Sequence, residues 1–110
     1  MFGFSRPAAK TVSPEEARSL AESGAIRLVD VREAGEWAQG RIAGAIHAPL
    51  SRLRDLAGTL PSDKPVVFYC LSGARSGQAV ALAKALGLPH DTHMAGGISA
   101  WRAHGFPLTR

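Results

Sequence analysis

Pro65-Val66-Val67-Phe68-Tyr69-Cys70-Leu71-Ser72-Gly73-Ala74-Arg75-Ser76 is the stretch that decides the fold. Its first five residues form an unbroken apolar run of strand length, the pattern of a strand buried on both faces. From Ser76 to Leu86 the chain reads as a helix, with Ala79, Val80, Ala83 and Leu86 on one stripe and Gly87 as its stop. A buried strand that passes through a small-residue loop into a helix belongs to a parallel α/β layer structure.

The same alternation extends both ways. Thr11-Val12 reads as a short strand, and Ser13-Pro14-Glu15-Glu16 supplies an N-cap, a first-turn proline and a capping-box glutamate for a helix that stops at Gly24. Ile26 to Val31 reads as a second buried strand, followed by a short helix around Glu33 to Ala38 closed by Gly40. Ala45-Ile46-His47 is a brief strand ended by Pro49. Leu50, Leu53, Leu56 and Leu60 recur at helical spacing up to Pro61. Thr92 to Met94 gives a last strand, and Ser99 to His104 a last helix. The expected fold class is therefore α/β, a mainly parallel central sheet covered by helices on both faces. Residues 1–9 read as a short tail and 10–110 as one domain.

Composition narrows the function. The chain has 110 residues, 45% hydrophobic and 20% charged, enough for one core and unlike a disordered chain. No apolar run approaches the ~20 residues of a membrane span, and the start has no apolar stretch of signal-peptide length. Both point to a cytoplasmic domain without a membrane partner. Thirteen Lys plus Arg against nine Asp plus Glu give a net charge of +4. The ten arginines are scattered, and the only close pair, Arg52 and Arg54, has no aromatic beside it. Nucleic acid is accordingly not expected as a partner; the positive charge suits a small anion or an acidic protein.

Ligands of a parallel sheet bind beyond the carboxyl ends of its strands. Cys70 stands there, the sole cysteine of the chain. Leu71, Ser72, Gly73, Ala74 and Arg75 form a small-sided loop able to point its N–H groups inward, and the helix from Ser76 adds its positive end. Arg75 adds a full charge. A thiol so placed is acidified into a thiolate nucleophile. The competing reading is a small buried hydrophobe, the usual fate of a lone cysteine.

These residues resemble a known family. Tyr69 to Ser76 is similar to the active-site loop of rhodanese-family sulfurtransferases. Leu28-Val29-Asp30-Val31-Arg32-Glu33 with Glu36, Gly40 to Pro49 (Arg41 standing where His is common), and Gly96-Gly97-Ile98-Ser99-Ala100-Trp101 with Gly105-Phe106-Pro107 resemble three further signatures of that family, in the same order. The resemblance implies a single rhodanese-like domain of the thiosulfate sulfurtransferase type. Cys70 would take the sulfane sulfur of a small anionic donor such as thiosulfate as a persulfide. A thiophilic acceptor, cyanide or a thiol, would then remove it. It implies no cofactor. Leu71 to Ser76 would cradle the persulfide. Four residues separate Cys70 from Arg75, one fewer than in related phosphatases and arsenate reductases, so a sulfur atom fits the loop better than a tetrahedral oxyanion.

Leu71 departs from the family, where the position after the cysteine is often basic. An apolar residue at the mouth weakens attraction for a dianion and favours a less charged persulfide or a protein acceptor. The alternative function is thus a persulfide carrier that relays sulfur to a partner protein. A lone cysteine cannot resolve its own persulfide, so the acceptor must come from outside. Arg75 either binds the donor's sulfonate or braces the loop against a carboxylate such as Asp30 or Glu33. Arg32 is a substrate-contact candidate and Asp30 a structural residue. His47 is either a base for Cys70 or a structural histidine. His90, His93 and His104 lack ligand spacing with Cys70, so no metal is expected. Trp37, Trp101 and the leucines of Leu50 to Leu60 read as core.

Overall fold

The computed structural model describes residues 9–110; the expected tail lies outside them except for Ala9. In chain order the elements are β1 (Lys10–Val12), α1 (Pro14–Glu22), β2 (Arg27–Asp30), α2 (Ala34–Gln39), β3 (Ile46–His47), α3 (Leu53–Leu56), β4 (Val66–Tyr69), α4 (Ala74–Ala85), β5 (Thr92–Met94) and α5 (Gly97–Ala103). The five strands form one sheet in the order β1-β5-β4-β2-β3, and every pairing is parallel. The expected α/β class is what the chain adopts.

Side chains alternate across β4 and fill two cores. Val66 and Phe68, with Val29 and Val31, pack under Leu53 of α3 and Ala79, Val80 and Ala83 of α4. Val67 and Tyr69, with Leu28 and Met94, pack against Ala17 of α1 and Ile98 and Trp101 of α5. Burial on both faces explains why β4 reads as a continuous apolar run, and β2 as apolar at its centre, Leu28-Val29, rather than alternating. The capping box of α1 forms as its sequence dictates: the Glu16 N–H donates to Ser13 Oγ at 3.1 Å and the Ser13 N–H to Glu16 Oε1 at 2.9 Å.

Three local expectations need correction. The Leu50–Leu60 segment is not one helix but α3 flanked by 3₁₀ turns at Leu50–Arg52 and Ala57–Thr59. Leucines three apart suit a 3₁₀ turn as well as an α turn, and Gly58 weakens the α alternative. The helix expected from Ser76 starts two residues earlier, so Ala74 and Arg75 occupy its first turn rather than the loop, and Leu86 lies past its end, exposed. Trp37 is not core: half-buried, it stacks on His47 at 4.5 Å and carries the Arg41 guanidinium on its ring at 4.5 Å. Trp101 is core as expected, its Nε1–H donating to the Pro107 carbonyl at 2.9 Å.

From β2 the chain moves outward to β3, and from β4 outward to β5 on the other side. The carboxyl ends of β2 and β4 therefore flank the switch point of the sheet, where such folds place their ligands.

Candidate active site

Cys70 follows directly on β4, and only Leu71, Ser72 and Gly73 separate it from α4. Gly73 takes φ = 119°, a backbone turn that L-residues resist, and this turn aims its N–H at Cys70 Sγ, 3.1 Å away. The positive end of a twelve-residue helix stands behind it. The Ser76 hydroxyl lies 3.5 Å from the sulfur. Cys70 is only 1% exposed. That burial by itself pushes the thiol up; the Ser76 hydroxyl and the N–H groups of Ser76, Gly73 and Ser72 outweigh it, and the thiol ends below its ordinary value. The nucleophile reading of Cys70 thus has a physical basis that a merely packed cysteine lacks.

The loop is held from behind by α5. The Ile98 N–H donates to the Cys70 carbonyl at 2.8 Å and the Ser99 N–H to the Leu71 carbonyl at 3.0 Å. Gly97 lets these backbones meet.

Arg75 turns both guanidinium nitrogens to Glu36, with Nη1 to Oε1 at 2.7 Å and Nη2 to Oε2 at 2.8 Å. The carboxylate it meets is Glu36 rather than Asp30 or Glu33. The bridge clamps the first turn of α4 to α2 across the switch point. Arg75, helped by the Glu33 N–H and offset in part by burial, holds the Glu36 carboxyl down to about 2 from 4.5. The clamp therefore contributes its full stabilisation above pH 4.5 and loses it as pH falls toward 2. Denaturant unfolding of the wild type and Glu36→Gln should differ by a constant amount at neutral pH, and the gap should close in that acid window. A gap that persists into acid would show that the carboxylate charge is not what holds the clamp.

Arg32, expected to contact substrate, is 5% exposed and grips Asp30, with Nη2 to Oδ2 at 2.8 Å and Nε to both oxygens at 3.1 Å. The same Nη2 donates to the Gly40 carbonyl at 2.7 Å. Its structural work fixes the segment after β2; of its three guanidinium nitrogens only Nη1 has no acceptor among the described residues. His47 is structural: its Nε2–H donates to the Arg32 carbonyl at 2.8 Å.

Leu71 is 43% exposed and edges a cavity of about 710 Å³ whose walls include Arg32, Glu36, Arg102 and Arg110. Arg102 and Arg110 escaped the sequence reading because neither sits in a motif; only the fold of the C-terminal segment, paired at Thr109 with Arg41, brings them beside the loop. His93, weighed in the sequence only as a metal ligand, also stands at the site. Its Nδ1 lies 2.8 Å from Ser76 Oγ. Strand alternation carried the only signal, since a polar residue between Thr92 and buried Met94 must face α4.

A buried sulfur with a depressed proton affinity, ringed by donors, can attack an electrophilic atom and hold the resulting anion. Comparison with known proteins agrees with this chemistry. The Rhodanese-like domain pattern matches residues 13–104. A sulfurtransferase of Allochromatium vinosum is 39% identical over 92 residues, covering 84% of this chain and 86% of that protein. A human thiosulfate:glutathione sulfurtransferase is 37% identical over 107 residues, covering 84% and 93%. A rhodanese-related protein of Thermoplasma volcanium superposes with a TM-score of 0.81 at 32% identity, covering 91% of this chain and 97% of that structure.

Proposed function

From the premise that this chain belongs to the rhodanese-like domain family, we propose that its sulfur-transfer activity is of the thiosulfate sulfurtransferase type, with Cys70 as the nucleophile. The observation that carries the reading is the Gly73 N–H held 3.1 Å from Sγ at the head of α4.

The thiolate attacks the sulfane sulfur of thiosulfate. A bond forms between Sγ and that sulfur, while the bond to the sulfonate sulfur breaks and its electron pair leaves as sulfite. The persulfide's terminal sulfur carries the negative charge, and the loop Leu71 to Ser76, whose Ser72, Gly73 and Ser76 N–H groups already turn toward Sγ, would cradle it. Cyanide or a thiol then attacks the terminal sulfur, leaves with it, and returns Cys70 as thiolate. The acceptor is external, because the chain has no second cysteine. The arginines around the cavity give an anionic donor a favourable approach. A cytoplasmic setting, where thiols stay reduced, fits a working free cysteine.

A second reading rests on Leu71. One of only two exposed large hydrophobics among the described residues, it stands beside the nucleophile. An apolar mouth suits a partner protein as sulfur acceptor, which makes the chain a relay. Intact mass separates the readings. Incubation with thiosulfate should add one sulfur atom to Cys70, and cyanide should remove it. Loading without removal by cyanide or small thiols would favour the relay; absence of loading would refute the thiosulfate reading.

A further inference from the structure

The Ser76 hydroxyl touches three groups at once. Its oxygen is 3.5 Å from Cys70 Sγ, 2.8 Å from His93 Nδ1 and 3.2 Å from the Gly73 carbonyl. A hydroxyl has one proton to give. Ser76 is fully buried, and His93, half-buried on β5 with its ring over Gly77, is placed by the same strand that pairs with β4. We propose that His93 is the proton acceptor for Cys70, acting through Ser76, so that the thiol ionises by passing its proton along the chain Sγ, Oγ, Nδ1.

Besides donation to the Gly73 carbonyl, two hydrogen-bond arrangements that link sulfur and ring fit the same heavy-atom positions. With a thiol, S–H donates to Ser76 Oγ and the hydroxyl donates to a neutral His93 Nδ1. With a thiolate, Nδ1–H donates to Oγ and the hydroxyl turns to the sulfur. Between them, the S–H bond breaks as a new O–H bond forms, and the old O–H bond breaks as N–H forms. One proton leaves sulfur, one arrives on nitrogen, and no other co-reactant is needed. The thiolate then gains a hydroxyl donor in addition to the Gly73 N–H at 3.1 Å.

The surroundings suit this exchange. Burial lowers the proton affinity of His93, so its ring is neutral and able to accept at neutral pH. The charged groups on the elements packed against it are otherwise engaged: Arg75 of α4 binds Glu36, and Lys10 of β1 binds Asp91 at 3.2 Å. Lys84, at the far end of α4, completes the set. The thiolate is therefore the negative charge best placed to stabilise an imidazolium there. By reciprocity, the imidazolium stabilises the thiolate equally.

The proposal rests on the nucleophile reading of Cys70, but its test does not require sulfur transfer. Thiolate absorbance should be titrated in the wild type, His93→Phe and His93→Gln. The Phe variant, with no acceptor or donor, should titrate at least about one unit higher, a tenfold loss of thiolate at a given pH. Gln, which can donate to Ser76 but cannot take up a proton, should leave most of that loss in place, and full recovery by Gln would overturn the proposal. In parallel, the His93 ring titration should be followed by NMR in the wild type and in Cys70→Ala, where it should fall to lower pH. Superimposable thiol curves for the wild type and His93→Phe, or identical His93 ring titrations with and without the sulfur, would overturn the relay. Should the Phe variant not fold, the ring titration alone decides. Failure of the wild type to load sulfur from thiosulfate, with these couplings intact, would instead count against the thiosulfate reading.

Discussion

Cys70→Ser should lower thiosulfate-dependent thiocyanate formation by about 10⁴-fold or more, to the limit of detection, while leaving the fold in place. The activity loss follows from the nucleophile. At neutral pH a serine hydroxyl stays protonated, even among the Gly73 N–H and Ser76 hydroxyl that surround this position. Nor can an oxygen at that point carry a sulfane sulfur as a persulfide. The preserved fold follows from the same contacts. Serine is slightly smaller than cysteine, and its hydroxyl meets the partners the sulfur already had, so no buried polar group is left unpaired. Stability should change by no more than about 1–2 kcal/mol. Circular dichroism and denaturant unfolding check the second half, and a coupled thiocyanate assay checks the first. A folded Cys70→Ser protein with wild-type turnover would remove Cys70 from the chemistry altogether.

The part of the fold nearest the nucleophile was the easiest to read in the sequence. Val66 to Tyr69 is buried on both faces, so its composition alone announces a strand, and the loop after it must lie at the carboxyl edge of the sheet. What escaped depends on partners distant in the chain. Arg75 and Glu36 are 39 residues apart, and only the crossover from β2 to β4 brings α2 against α4. The start of α4 was misplaced for a related reason. The sequence starts the helix at Ser76, but it is Gly73, with its positive φ, that ends the loop, while the Ser76 hydroxyl inside the first turns serves the sulfur, His93 and the Gly73 carbonyl. Trp37 reads as core in the sequence only because apolar residues are core by default. The structure uses its flat face as a platform between His47 and Arg41, a role that hydrophobicity does not encode.

Gly97→Ala should be among the most damaging single-methyl additions in the protein, and Gly105→Ala shows why as a control. Both glycines have positive φ, 61° and 73°, so both variants incur the left-handed strain of about 1–2 kcal/mol. Around Gly105 an added Cβ meets nothing within 4 Å. At Gly97 it would sit 2.5 Å from the Cys70 carbonyl oxygen and from the carbonyl carbon and oxygen of Leu71. Those are backbone atoms of the nucleophile loop, and they cannot rotate aside as a side chain does. Relief requires α5 and the loop to separate. That strains or breaks the Ile98-to-Cys70 and Ser99-to-Leu71 bonds, 2.8 and 3.0 Å long. Added to that strain, about 1–3 kcal/mol for overpacking and about 1 for each of the two weakened hydrogen bonds bring the total loss to roughly 4–7 kcal/mol. That is a large share of the roughly 5–15 kcal/mol that holds a domain of this size together. The melting temperature should fall by at least about 15 °C, against about 4–8 °C for Gly105→Ala. The fraction of Gly97→Ala that remains folded should also load sulfur slowly, because moving the loop takes the Gly73 N–H off the sulfur. Thermal unfolding and intact-mass loading kinetics of the two variants, side by side, measure both effects. Equal losses for the two would mean that backbone strain alone matters, and that the close approach of α5 does not hold the nucleophile loop in place.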